Sequence, residues 1–113
     1  MKARLPKGYG SKGMNDMLKQ AQAMQNEMEL VKAELDKKEY TSTSGGGVVK
    51  TTVLGDKTVV GIKIEPEVVD PEDIEMLEDL IIASINDAMR MVDEDSEKTM
   101  GDITSKYGLG GIL

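Results

Sequence analysis

Among the side chains able to do chemistry, this chain offers carboxylates and cations in quantity, with 21 Asp and Glu against 14 Lys and Arg, but no His and no Cys. The commonest nucleophiles, proton-transfer groups and transition-metal ligands are therefore missing. The carboxylates of residues 65–79 have no partner base and no apolar pocket to drive their pKa values apart, as acid–base catalysis requires. Asp93-Glu94-Asp95-Ser96-Glu97 has the density of a cation loop, yet it lacks the Gly an EF-hand uses for its turn and falls in helical periodicity, so it reads as a solvated helix face. Gly8-Tyr9-Gly10-Ser11-Lys12-Gly13 spells G-x-G-x-x-G ahead of a helix. A dinucleotide site needs a strand before those glycines and a phosphate loop needs Lys and Ser or Thr after them; here MKARLPK precedes, Met14 and Asn15 follow, and a linker is the better reading. No catalytic residue, metal or cofactor is expected.

The cations are more informative. Lys2, Arg4, Lys7 and Lys12 lie in the first 13 residues with no acid among them, and Lys19 follows shortly after. Residues 65–97, by contrast, hold 13 acids and Arg90 as the one base. A net charge of −7 rules out a surface that is basic overall, so contact with a polyanion would have to be local, at a basic tip of an acidic protein. The basic arm has two readings, a solubilising terminus or a clamp for phosphate.

Three elements would position these groups. Met14, Met17, Ala21, Met24, Met28, Val31 and Leu35 recur at alternating spacings of three and four, which predicts a first helix with a coiled-coil type seam. Residues 39–65 turn rich in Thr and Val, with Gly45–Gly47 and Gly55-Asp56 between the runs, and predict a three-stranded antiparallel meander. In its last strand Thr58, Val60, Ile62 and Ile64 would share the buried face. Asp70 as cap and Pro71 at the first position predict the start of a second helix that runs to about residue 100. Its apolar band comprises Ile74, Leu77, Ile81, Ile85, Ala88 and Val92, widened by Leu80, Ile82 and Met89.

The expected organisation is thus a flexible basic arm over 1–13, one α+β domain over 14–100 and a mobile Gly-rich tail over 101–113. With no Trp or Phe, three Tyr and nine Met, the core must be thin, and with no Cys for disulfides a second copy is the natural support. The longest apolar run, residues 80–83, is far too short to span a bilayer, and no secretory signal is evident. A cytoplasmic location without membrane contact is the expectation.

Three blocks in order, MNDMLKQAQAMQNEMELVKAEL, GGGVVKTTVLGDKTVVGIKIEPE and VVDPEDIEMLEDLIIASINDA, resemble successive signatures of the YbaB/EbfC family over nearly all of residues 13–92. The resemblance implies an intertwined homodimer with projecting helical arms that binds DNA in the nucleoid, with no small-molecule substrate. It implies DNA contacts at Lys12 and Lys19, and toward the C-terminal end at Lys98 and Lys106; the charge of the arm itself adds Lys2, Arg4 and Lys7. The dimer contacts are expected at Met17, Met24, Met28, Leu77, Ile81 and Ile85. The sequence departs from a basic arm at the end of the second helix, where MRMVDEDSEK sets four acids against Arg90 and Lys98. The competing reading is a protein-interaction module that docks partners through the Met-bearing first helix, with DNA binding secondary.

Overall fold

A computed structural model describes the backbone of residues 9–108 and the side chains of residues 13–108. Lys2, Arg4, Lys7 and residues 109–113 lie outside the described residues, as does the side chain of Lys12. The chain runs α1 (Tyr9–Lys37), β1 (Glu39–Ser44), β2 (Val49–Leu54), β3 (Val59–Ile64) and α2 (Ile74–Lys106), with short 3-10 turns at Gly45–Gly47 and Pro66–Val68. The expected α+β order and the meander β1-β2-β3 are both present.

Three boundaries differ from the sequence reading. Helix α1 begins at Tyr9, five residues before Met14, so residues 9–13 of the expected arm are helical. Extending a helix already two dozen residues long needs no new nucleus, and that favours the extra turn even though Gly10 and Gly13 are poor helix formers. Asp70 does not cap α2. Its carboxylate accepts from the Glu72 N–H two residues on (2.9 Å), the signature of a local turn, and Asp73 is the cap, accepting from Met76 N at 3.2 Å. At the other end α2 passes through Gly101 to Lys106 and stops where Gly108 takes φ +80, its N–H bonded to Ser105 O.

One face of the sheet lies under α2, which packs on β1 and β2. Tyr40 and Ser42 of β1 and Val49, Thr51 and Val53 of β2 are buried there against Ser84, Ala88 and Val92 of α2. Tyr40, Val53, Ala88 and Val92 form one apolar cluster with Met89 against it. The rest of this seam is polar. Ser44 Oγ donates to Leu80 O (2.6 Å), Ser42 Oγ donates to Asp87, and Tyr40 OH donates to Asp95 at 2.5 Å. Between them Thr51 Oγ1 meets Ser84 Oγ at 2.6 Å; because the Ser84 hydroxyl gives its single proton to Ile81 O, Thr51 is the donor.

Strand β3 also differs from the sequence reading. A bulge between Thr52 and Val53 sets Val59, not Val60, opposite Val53, so the alternation expected from Thr58 breaks there. α2 leaves β3 largely uncovered: Val59, Val60 and Ile62 are 40%, 50% and 43% exposed, and only Ile64 is half-buried. The radius of gyration, 23.2 Å, far exceeds the roughly 13 Å of a compact domain of this length. Two helices of about 43 and 50 Å on a three-stranded sheet account for that.

Candidate nucleic-acid interface

Helix α1 is rooted at the sheet and runs away from it. At the root, Lys38 N bonds to Leu35 O (3.1 Å) and Gly55 N bonds to Lys38 O (2.9 Å), and Lys38 Nζ reaches Asp95 at 2.7 Å. Asp95 also receives the Tyr40 hydroxyl. These two donors, Lys38 first, hold the Asp95 carboxyl below the usual carboxylate range, while burial, reinforced by Asp95, pushes the Tyr40 phenol up to about 12.

Further out, Glu27 ties α1 to the end of α2. Its carboxylate accepts from Lys106 Nζ (3.0 Å) and from Tyr107 OH (2.9 Å), bonds that hold Glu27 below its ordinary pKa and raise both Lys106 and Tyr107. Beyond this clasp α2 has ended, and α1 continues for about 27 Å toward Tyr9. Met17, Gln20, Ala21, Met24 and Tyr107 line a groove of about 260 Å³ at that point. Met17 is 68% exposed and Met24 half-buried; Met28, nearer the root, lines a shallow cleft with Met100 and Thr104 of α2. Of the expected seam, then, Met28 faces its own chain's α2, and Met17 is left open.

The expected cations are dispersed. Lys19 is exposed on the outer part of α1 and has no ion pair among the described residues. Lys98 is within 3.4 Å of Asp102 and Lys106 is held by Glu27, so the two cations expected toward the end of α2 both have carboxylate partners. Lys32, Lys57 and Arg90 likewise pair with Asp36, Asp93 and Asp87. Asp93 and Asp95, which looked like parts of a cation cluster, are engaged by Lys57 and Lys38. Leu77, Ile81 and Ile85 are half-buried, and Ile74, Met76 and Ile82 of the same helix are exposed, Ile82 by 54%.

A sequence profile of the YbaB/EbfC DNA-binding family matches residues 11–107, across both helices and the sheet between them. The chain belongs to that family. It is 47% identical over 104 residues to a nucleoid-associated protein of Alkaliphilus metalliredigens, covering 92% of this chain and 91% of that protein. A nucleoid-associated protein of Clostridium acetobutylicum is 44% identical over 105 residues, covering 93% and 94%. The fold of this YbaB/EbfC family member matches the crystal structure of an uncharacterized protein from Helicobacter pylori with a TM-score of 0.59 at 24% identity, over 70% of this chain and 92% of that one. No helix among the described residues is long and apolar enough to cross a membrane.

Two features of the family member's surface escaped the sequence reading. Lys50 and Lys63 are exposed and paired in register across β2 and β3, a juxtaposition set by the bulge and the turn lengths. Glu27, midway along a helix of mixed charge, has nothing in its sequence neighbourhood to mark it as the partner of two residues at positions 106 and 107.

Proposed function

We propose that this protein binds duplex DNA as a homodimer, through phosphate contacts and with little base readout, in the bacterial nucleoid and without enzymatic activity. The observation that carries the reading is the bare outer half of α1 in a chain of the YbaB/EbfC DNA-binding family: it extends past the end of α2 and presents Lys19 without a carboxylate partner among the described residues. The same helix continues toward Lys12, and the expected arm adds Lys2, Arg4 and Lys7. A dimer is supported by apolar surface that one chain leaves open on β3 and on the Leu77, Ile81 and Ile85 side of α2. Acids concentrated on α2 repel phosphate, which confines contact to the basic positions and keeps affinity modest near physiological salt.

Each phosphate neutralised on duplex DNA contributes about −0.9 to the slope of log affinity against log salt, so three or four engaged cations give a slope of roughly −3 to −4. The test is a titration of duplexes of unrelated sequence at several salt concentrations with the parent and with K12E/K19E. The double charge reversal weakens binding about equally on every sequence, because the lost contacts are to phosphate. Parental binding that survives the change would refute the reading. The groove of Met17, Ala21, Met24 and Tyr107 favours the second reading, docking of a protein through α1, and that reading gains if K12E/K19E is silent on DNA while M17D/M24D abolishes a protein interaction.

A further inference from the structure

Among the described residues six cations sit in ion pairs, and Lys19, Lys37, Lys50 and Lys63 do not. Lys19 lies alone on α1, and Lys37 stands in the last turn of that helix, where a cation meets the negative end of the dipole. The remaining two stand opposite each other in the ladder of β2 and β3. Lys50 falls between buried Val49 and buried Thr51, so strand alternation turns it to the face away from α2, and its register partner Lys63 shares that face.

Like charges directly opposite on a sheet destabilise it. Neither lysine has a carboxylate within ion-pair distance among the described residues; the nearest acid along the chain is exposed Glu65, two residues on from Lys63. On the same face the register sets Thr43 beside Lys50 in one row and Thr41, Thr52 and Gly61 in the next, all short and uncharged, with Thr41 and Thr52 bonded to each other at 3.2 Å. Gly61 would have open space around a Cβ. The result is an open polar floor that bears two ammonium groups, suited to an extended polyanion and too open to enclose a small ligand. Of the other eight described cations, six are matched with carboxylates.

We propose that the outer face of the sheet is a second phosphate-contacting surface, with Lys50 and Lys63 straddling the backbone of duplex DNA. The inference rests on the DNA-binding reading above and extends it from the helix tips to the body of the fold. Its test is a salt titration on duplex DNA of the parent, K50Q/K63Q and the charge-matched control K32Q/K57Q, whose lysines sit in exposed ion pairs elsewhere. Loss of two contacts lowers the magnitude of the salt slope by about 1.8 and the affinity by about 60-fold at 0.1 M salt, while the control stays near the parent. Independently of DNA, K63E installs an ion pair opposite Lys50, so it raises the thermal midpoint while weakening DNA binding. A parent that binds with an unchanged slope in K50Q/K63Q overturns the inference and leaves the DNA reading standing. A parent that does not bind duplex at all overturns both.

Discussion

Gly55 is the point at which α1 is fixed to the sheet, and its replacement by Ala is a sharp test of the structure. A Cβ there would lie 1.7 Å from Leu35 O and 2.6 Å from Leu35 C. To bring the first contact out to 3.0 Å, below which real Cβ atoms essentially never approach, the backbones must part by more than 1 Å. Both partners are main chain, so no side-chain rotation can absorb the change. The same movement stretches the Gly55 N to Lys38 O bond and disturbs the Lys38 N to Leu35 O bond beside it. Overpacking costs about 1–3 kcal/mol and each hydrogen bond about 1, which together give about 2–5 kcal/mol. That is a large share of the 5–15 kcal/mol typical of a folded protein. Gly61, six residues on in the same hairpin, has open space around its Cβ position, so G61A is the matched control with an effect under about 1 kcal/mol. Urea unfolding followed by circular dichroism at 222 nm reads both variants. Equal midpoints for G55A and G61A would show that the α1 root does not approach β2 as described.

Two further outcomes follow from named contacts. Replacing Ile81 and Ile85 together with Asp puts charge into the apolar band of α2 and dissociates the proposed dimer; sedimentation shows monomer, whereas a dimer that persists moves the interface elsewhere. Tyr40, its phenol raised to about 12, favours the protonated form in the folded state, so its contribution is fully present below pH 10 and is lost as the pH climbs from 10 toward 12. Y40F is therefore less stable than the parent at pH 8 and converges on it across that window, while absorbance at 295 nm shows a late-ionising tyrosine in the parent that is missing from Y40F; a constant gap between parent and Y40F up to pH 12 would refute the assignment.

The sequence disclosed periodicity well and partnership poorly. The alternating spacing from Met14 to Leu35 made α1 visible, and Thr- and Val-rich runs between glycines made the three strands visible, because both signals are local. The start of α2 was misplaced because Asp70-Pro71-Glu72-Asp73 offers two acids able to cap, and only the backbone decides that Asp70 closes a turn and Asp73 opens the helix. The buried face of β3 was misjudged for a different reason. Alternation tells which residues share a face, but the bulge at Thr52 and Val53 and the path of α2 over β1 and β2 decide whether anything covers it. Among candidate site residues, Lys19 was legible as an exposed cation, whereas the capture of Lys106 by Glu27 depends on contact across 79 positions.

The apportionment of polar and apolar groups on α2 is the physical ground for the proposed dimer. Toward its own sheet the helix presents Ser84, Ala88, Val92 and the carboxylates of Asp87 and Asp95, which meet Thr51, Ser42 and Tyr40 through hydrogen bonds. Small residues let helix and sheet approach closely, but a seam of this kind buries little apolar area, and each net hydrogen bond contributes only about 1 kcal/mol. Leu77, Ile81 and Ile85, with uncovered Val59 and Ile62, hold the apolar surface that the seam does not use. Hydrophobic burial is the dominant favourable contribution to folding, at roughly 25 cal/mol for each Å² removed from water. In the proposed dimer that contribution is gained largely between chains, so folding and association are one equilibrium. The polar ladder within each chain then fixes register and orientation, and the surface shared between chains supplies most of the stability. That division leaves the outer half of α1 free of structural duty, which is what a helix must be if it is to meet a partner such as DNA.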